Sequence, residues 1–355
     1  MSGNHRPRAG ERIGMAVVGA GYWGPNLVRN FGGSEEFDVR WLCDLDEARA
    51  RKVLGQNSTV RVTSSLDEVL DDPAVAAVAV ATPAATHGVI GVTCLEADRH
   101  VLIEKPLAAS VAEGEKLVSV AEDRGLVLMC DHTFCYTPSV QRIRRYIEEG
   151  VLGDLQYVDS VRINLGLVQP DIDVLWDLAP HDLSIFDYLL PPDRRPTAVA
   201  AHGADPLGQG RASVAYLTMP LAGGAVAHAH VNWFSPVKVR TVIIGGSKRM
   251  VMWDDLNATQ KLSLYDSGVD VAPTLDEEAR RDKLISYRVG DVVSPALPVH
   301  EALGRVVDEF AQSIREDRAP QTDGRAGLRI LRVLESASAS MASGGALRSI
   351  SEALD

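Results

Sequence analysis

The chain has 355 residues, of which 46% are hydrophobic, enough for a large core and for two domains. Its formal net charge of −12 argues against nonspecific binding to nucleic acid or to anionic membrane surfaces, because both need a basic face. Four cysteines in a chain of this length form neither a disulfide framework nor a C-x-x-C metal knuckle, so reduced thiols and a cytoplasmic location are expected.

Two stretches bear on targeting and membrane insertion. Residues 1–12 carry charges without a following apolar run, so we expect a frayed tail and no signal peptide. Residues 73–95 carry no formal charge, but Pro83 and His87 interrupt them. A strand, a loop and a helix are therefore favoured over a membrane span.

A glycine-rich turn opens the ordered part of the chain. An apolar run from Ile13 predicts a buried strand, and it leads into Gly19-Ala-Gly-Tyr-Trp-Gly24 followed by Pro25. In this spacing the first glycine makes the turn, the second lets backbone approach a pyrophosphate, and the third lets helix and strand pack. A second strand ends at Asp44, twenty residues past Gly24, where a carboxylate can bind ribose hydroxyls. We predict a dinucleotide site; a glycine turn without a ligand is the alternative.

Strands and helices then alternate as far as residue 132. The predicted strands lie at Phe37–Cys43, around Val60, and at Ala74–Ala81, His100–Ile103 and Leu126–Cys130. The predicted helices are Glu47–Leu54, one capped by Ser65-Leu-Asp-Glu68, His87–Ala97, and one capped by Ser110-Val-Ala-Glu113. This alternation predicts an α/β domain over 1–132 with a parallel, doubly wound sheet that binds ligands at the carboxyl ends of its strands.

The pattern changes in residues 133–355. After a helix at Ser139–Glu149, segments with a period of two predict strands at Leu155–Leu165, Thr197–His202, Ala212–Met219, Ala225–Phe234, Val239–Gly245 and Arg249–Trp253. One helix, from about Asp177 to Leu190, interrupts them, and Asp266–Ile285 is predicted to be a loop with weak helix. We expect an α+β domain with an open, mostly antiparallel sheet. The last helices of this domain could pack back on the first domain.

Two polar motifs close neighbouring strands of the first domain. Thr82-Pro83 follows one strand and Glu104-Lys105-Pro106 follows the next, so both lie where a cofactor bound at the first loop would extend. Only seven lysines occur against 29 arginines, which makes Lys105 at a strand end less typical of chance surface charge. A lysine beside a cleft can take part in proton transfer; the alternative is a salt-bridged turn residue.

Asp177 and His181 are four residues apart, so they share a face if a helix begins near Asp177. Histidine is the natural general base near neutral pH. Capping alone could explain Asp177, with Pro180 in the first turn, and His181 could be a core or surface residue.

Several other functional classes lack support. His228 and His230 share a strand face, but no third ligand follows at a recognisable spacing, so we predict no metal site. The sequence contains no G-x-S-x-G, Walker A or H-E-x-x-H motif, which leaves hydrolase, kinase and zinc-protease functions without evidence.

Four motifs together resemble the Gfo/Idh/MocA oxidoreductases, typified by glucose–fructose oxidoreductase and inositol dehydrogenase. They are Gly19–Gly24, Ala81-Thr-Pro-Ala-Ala-Thr-His87, Glu104-Lys-Pro106 and Asp177-Leu-Ala-Pro-His181, and the resemblance runs nearly end to end. His132-Thr-Phe134, Arg162–Gly166 and Asn232–Lys238 are most similar to the WlbA-like branch, which handles sugars and nucleotide sugars.

The resemblance implies a Rossmann domain, a C-terminal domain whose open sheet forms homodimers or homotetramers, and an active site between the two domains. It implies NAD-dependent hydride transfer at a ring alcohol of a sugar or nucleotide sugar, for example at C3. Lys105 and His181 would act as acid and base, with Asp177 positioning His181 or the sugar. Implied cofactor contacts are Gly19, Gly21, Tyr22, Trp23, Gly24, Asp44, Thr82, Pro83, His87, Glu104 and Lys105. Implied or expected substrate contacts are Arg162, Asn164, Trp233 and Lys238.

Three alternatives stay open. Asp44 and Asp46 place negative charge where a 2′-phosphate would lie, which favours NAD over NADP, although Arg49 is close in sequence. A free cyclitol or simple sugar could be the substrate. The family also contains dinucleotide-sensing regulators without activity, but the presence of Lys105 and His181 favours an enzyme.

Overall fold

The computed structural model describes residues 10–56, 58–166, 168–169, 172–271 and 285–350, so most of the predicted N-terminal tail lies outside the described residues. The chain divides into two compact units. Unit 1 comprises Met1–Thr137 and His300–Glu335, and unit 2 comprises Pro138–Val299 and Ser336–Asp355. The sequence predicted a boundary at residue 132, with last helices that could pack back on the first domain; this division assigns His300–Glu335 to unit 1.

Unit 1 contains a six-stranded sheet in the order β3-β2-β1-β4-β5-β6. Its strands are β1 Ile13–Val18, β2 Phe37–Cys43, β3 Arg61–Thr63, β4 Ala77–Val80, β5 His100–Glu104 and β6 Leu128–Asp131. Every neighbouring pair is parallel. The order reverses at β1, which confirms the predicted doubly wound sheet and puts the switch point at the end of β1.

The helices follow the predicted local signals in most places. They are α1 Gly24–Gly33, α2 Glu47–Leu54, α3 Leu66–Leu70, α4 His87–Glu96, α5 Val111–Arg124, α6 Pro138–Glu148, α7 Val174–Leu189, α8 Ala302–Glu316 and α9 Gly324–Ala342. Both predicted caps form, because the Ser65 and Ser110 side chains accept hydrogen bonds from the backbone N–H groups of Glu68 and Glu113. Each bond satisfies a helix N–H that has no partner within its helix.

An aromatic cluster explains why α8 belongs to unit 1. Phe310 of α8 lies against Phe31 of α1 and Phe37 of β2, with ring centroids 6.5 and 6.0 Å away. All three side chains are fully buried. Their burial removes a large apolar area from water and joins segments that are more than 270 residues apart in sequence.

Unit 2 contains a nine-stranded sheet in the order β14-β13-β12-β11-β7-β10-β9-β8-β15. Its strands are β7 Leu155–Leu165, β8 Ala198–Ala204, β9 Val214–Pro220, β10 Val226–Asn232, β11 Phe234–Gly246, β12 Met250–Asp254, β13 Leu262–Val271, β14 Ile285–Val293 and β15 Arg348–Ser349. Among the strands that the structure describes in this sheet, only β7 and β10 pair in parallel. The mixed, mostly antiparallel sheet is therefore confirmed.

The two faces of this sheet differ. Along β10 the buried residues Ala227, Ala229 and Val231 alternate with the half-buried His228 and His230. Helix α7 contacts β7, β9 and β10, which places it over the buried face. Among the described helices, none combines the length and hydropathy needed to span a bilayer.

Two predictions about local structure were wrong. Helix α7 begins at Val174, three residues before the predicted start, because Asp173 caps it by accepting a hydrogen bond from Trp176 N at 3.0 Å. Residues 266–271, predicted as loop, belong to β13, which pairs with β14. The charged residues of this segment give no strand periodicity, so the sequence did not predict the pairing. A hydrogen bond from Arg288 Nε to Asp266 Oδ1, at 3.2 Å, links the two strands. The remainder of that predicted loop, 272–284, lies outside the described residues.

Candidate functional site

The glycine-rich turn between β1 and α1 has the geometry that its sequence predicts. Gly19 has a φ of 104°, and a Cβ added to it would overlap the backbone of Ala81. A Cβ added to Gly24 would overlap the backbone of Gly19. At Gly21, by contrast, no described atom lies within 4 Å of an added Cβ. The first and third glycines are thus required by packing, and the second leaves room for a ligand to approach the backbone.

The start of α1 faces the same turn. Trp23 is the N-cap residue and forms no side-chain capping bond with the described residues, and Pro25 occupies the first turn. An uncapped helix N-terminus offers backbone N–H groups and a positive dipole end to an anion. Tyr22, at the tip of the turn, is 91% exposed. The turn and the helix end therefore fit a pyrophosphate.

Asp44 is a buried carboxylate at the end of β2. Its Oδ2 accepts a hydrogen bond from Ala20 N at 2.6 Å, and its Oδ1 accepts from Asp46 N at 2.8 Å and Arg49 Nη2 at 2.7 Å. Burial raises its pKa, but these donors and the Arg49 charge outweigh burial and hold the pKa below its usual value. Asp44 therefore stays charged, supports the glycine turn, and puts negative charge beside the predicted ribose position.

His87 holds two strand-end motifs together. It is buried, with Nε2 2.8 Å from Thr82 O and Nδ1 2.8 Å from Pro106 O, and burial lowers its pKa. Thr82 also accepts a hydrogen bond from the Thr86 hydroxyl at 2.8 Å, and Pro83 beside it is exposed. Because its ring is enclosed by protein, we assign His87 a bracing role and leave it out of the direct cofactor contacts.

Glu104 and Asp131 end neighbouring strands of the sheet. They are register partners on β5 and β6, are 9% and 2% exposed, and share a hydrogen bond. Asp131 also accepts from Thr133 Oγ1 at 2.6 Å and from Trp23 Nε1 at 3.4 Å. Half-buried Lys105 donates its backbone N–H to Glu104 Oε2 at 3.1 Å. No motif in the sequence indicated Asp131, whose only signal was its position directly after a predicted strand.

In unit 2, Asp177 and His181 both lie on α7, at the four-residue spacing that places them on one face. Trp233 donates from Nε1 to Asp177 Oδ2 at 2.9 Å. Capping does not explain Asp177, since Asp173 is the N-cap. Trp233 is only 2% exposed, so its ring belongs to the core and we leave it out of the proposed substrate contacts.

Arg162 forms a buried ion pair with Asp182, the residue after His181. Arg162 Nε and Nη2 donate to Asp182 Oδ2 and Oδ1 at 2.8 and 3.1 Å, and Ser160 Oγ donates to Oδ1 at 2.6 Å. Arg162 is 4% exposed and Asp182 1%. The pair ties α7 to β7 on the side of His181, so Arg162 is removed from the proposed substrate contacts. No motif in the sequence indicated Asp182 or Ser160.

Asn164 and Lys238 are the two remaining substrate candidates. Asn164 is half-buried near the end of β7. Lys238 is exposed and lies in β11 where the register with β7 shifts between Phe234 and Val239. An irregular strand segment of this kind can direct side chains away from the regular sheet faces. Both residues stay candidates for substrate contacts.

The chain matches two family descriptions that together cover most of its length. Residues 13–132 match "Oxidoreductase family, NAD-binding Rossmann fold", and residues 144–348 match the C-terminal alpha/beta domain of the same family. The chain belongs to the Gfo/Idh/MocA oxidoreductase family. It is an oxidoreductase acting on CH–OH groups, and its N-terminal domain is an NAD-binding Rossmann domain.

Relatives within this family are named for several substrates. The UDP-N-acetylglucosamine 3-dehydrogenase of Acidithiobacillus ferrooxidans is 28% identical over 89% of this chain and 93% of its own length. The NADP(+)-dependent scyllo-inositol 2-dehydrogenase of Bacillus subtilis is 25% identical over 92% of this chain and 91% of its own. Among solved structures, GenD2 from gentamicin A biosynthesis, in complex with NAD, has a TM-score of 0.80 and 25% identity, covering 96% of this chain and 97% of its own.

The residues of unit 1 fit the cofactor of this oxidoreductase family. The open space at Gly21 and the uncapped start of α1 suit the pyrophosphate, and the charged Asp44 suits ribose hydroxyls. Because the strand order reverses at β1, the nicotinamide end of a bound cofactor would lie toward β4 and β5, where Thr82 and Lys105 could contact it.

The paired histidines of the sheet face make ring contacts. The rings of Tyr216 and His230 stack with centroids 4.3 Å apart, and His228 Nδ1 lies 3.9 Å from Asp159 Oδ1. Within the described ranges, no group of three or more His, Cys, Asp or Glu residues could hold a metal ion.

Proposed function

We propose that this oxidoreductase transfers a hydride between NAD and a secondary alcohol or ketone on the ring of a nucleotide sugar or a similarly elaborated sugar. The observation that carries the proposal is the anchoring of α7 around His181. Trp233 holds Asp177 on one side of His181, and Arg162 with Ser160 holds Asp182 on the other. Such anchoring is what a positioned acid/base requires, because a misplacement of about 1 Å is costly to catalysis.

When bound, NAD accepts or returns the hydride. The protein must then take up or supply the proton of the substrate hydroxyl. We assign that proton to Lys105 and His181 together, with Asp177 fixing the His181 side of α7. The WlbA-like motifs and the UDP-N-acetylglucosamine 3-dehydrogenase relative support oxidation at C3 of the sugar.

A free cyclitol or simple sugar is the second candidate substrate, and the scyllo-inositol dehydrogenase relative favours it. The predicted homodimer or homotetramer formed through the open face of the unit 2 sheet stays a prediction.

Lys238→Ala is expected to distinguish the two substrate classes. Exposed Lys238 can bind the diphosphate of a nucleotide sugar, and loss of a charge-assisted bond worth about 1.5–3 kcal/mol should raise KM about tenfold or more. KM should be measured with UDP-N-acetylglucosamine and with N-acetylglucosamine, and Lys248→Ala, another exposed lysine of unit 2, is the matched control. Equal effects of Lys238→Ala on both substrates, or faster turnover of the free sugar by the wild type, would reject the nucleotide-sugar proposal.

NADH is expected to bind more tightly than NADPH, because the charged Asp44 repels a 2′-phosphate. Arg49 is held by Asp44 at 2.7 Å, so Asp44→Ser should release it to bind that phosphate and raise the relative affinity for NADPH about tenfold. The double variant Asp44→Ser/Arg49→Ala should lose this gain. Fluorescence titrations with both cofactors measure the ratio; a wild-type preference for NADPH would contradict the assignment.

A further inference from the structure

The Glu104 and Asp131 carboxyl groups require a proton between them. Carboxylates are acceptors only, so two of them can share a hydrogen bond only when one carries a proton. Asp131 already receives hydrogen bonds from Thr133 and Trp23, which stabilise its charged form. Glu104 receives one from its neighbouring backbone N–H, and its buried Oε1 has no donor among the described groups. The donors therefore favour a neutral Glu104 and a charged Asp131.

The titration of the pair agrees with this geometry. Burial, followed by the Asp131 charge, raises the pKa of Glu104 well above its usual value. Burial also raises the pKa of Asp131 above its usual value, and hydrogen bonds from Glu104, Thr133 and Trp23 offset only part of that rise. The pKa of Glu104 is therefore the higher of the two, and Glu104 is the group that keeps the proton.

We propose that Glu104 and Asp131 hold a single proton between them, and that the one remaining negative charge of the pair favours binding of the oxidised cofactor over the reduced one. The nicotinamide ring is positively charged in NAD⁺ and neutral in NADH. The pair lies at the carboxyl ends of β5 and β6 and binds Trp23 of the glycine-rich turn, so its charge is on the nicotinamide side of the switch point.

Lys105 adds a positive charge that the carboxylate of this pair can balance. It follows Glu104 directly, and its ammonium group lowers the pKa of Glu104. A positive nicotinamide beside a positive lysine is disfavoured unless a carboxylate balances them. One charge on Asp131 meets that need, whereas a second charge on Glu104 would be buried with its Oε1 lacking a donor among the described groups.

The test compares Glu104→Gln with the double variant Glu104→Gln/Asp131→Asn, both of which preserve side-chain shape. Dissociation constants for NAD⁺ and NADH are measured by titration at neutral pH. Glu104→Gln keeps the charge, so the ratio of the two constants should stay within about twofold of wild type. The double variant loses the charge and should shift the ratio toward NADH about tenfold. A merely structural role would weaken both cofactors equally and leave the ratio unchanged.

Infrared spectroscopy of the cofactor-free protein gives a second readout. Wild type should show the carbonyl stretch of a protonated buried carboxylic acid, and Glu104→Gln should remove it. Three outcomes would overturn the proposal: absence of that band from wild type, a ratio shift in Glu104→Gln as large as in the double variant, or an unchanged ratio in both variants. The experiment does not depend on which sugar is the substrate, so its failure leaves the proposed function standing.

Discussion

Replacing Lys105 or His181 by alanine is expected to lower kcat about 10²–10⁴-fold while NADH binding remains measurable. A positioned acid/base lowers the barrier for moving the hydroxyl proton, and it contributes little to holding the dinucleotide. His181 lies on an anchored helix and Lys105 at the end of a parallel strand, so both side chains start from rigid elements. Steady-state kinetics with the true substrate, and NADH titration, measure the two effects separately.

Lys116→Ala and His202→Ala are suitable controls, because both residues are exposed and lie outside the motifs assigned to the site. Each should leave kcat within about twofold of wild type. If Lys105→Ala or His181→Ala kept a kcat near that of the controls, the acid/base assignment for that residue would be wrong. If a variant lost NADH binding as well, its role would be in the cofactor site.

Arg162→Ala is expected to lower the free energy of unfolding by about 3–5 kcal/mol, since it leaves the Asp182 carboxylate buried without its guanidinium partner. The loss should be larger than for most point variants because Asp182 is only 1% exposed and cannot regain water without disturbing α7. Urea unfolding followed by tryptophan fluorescence suits the measurement, because three of the five tryptophans, Trp176, Trp233 and Trp253, lie in unit 2.

Two further variants distinguish the destabilisation caused by losing the buried ion pair from that caused by losing any arginine. Arg249→Ala removes an exposed guanidinium 4.0 Å from Asp266, and should change stability by no more than about 0.5 kcal/mol. Arg162→Met/Asp182→Leu replaces both charges by apolar groups and should recover most of the loss. A destabilisation by Arg162→Ala no greater than that by Arg249→Ala would show that the buried pair contributes little.

Local and periodic signals were sufficient for the architecture. The spacing of Gly19, Gly21 and Gly24, the position of Asp44 and the alternation of strands and helices each depend on neighbouring residues. The same holds for Asp177 and His181, whose common face follows from helical spacing alone. The sequence by itself thus determined the dinucleotide-binding sheet, the strand ends that carry Lys105, and the helix that carries His181.

Partners that lie far apart in sequence were decided only by the tertiary structure. Arg162 and Trp233 were expected to contact substrate, yet they bind Asp182 and Asp177, which are 20 and 56 residues away. Asp131 meets Glu104 because β5 and β6 pair in register, and α8 joins unit 1 through contacts such as the packing of Phe310 on Phe31 and Phe37. The partner of a polar or aromatic side chain cannot be read from the periodicity of the sequence. Whether it binds a ligand or anchors the fold depends on which groups burial brings next to it.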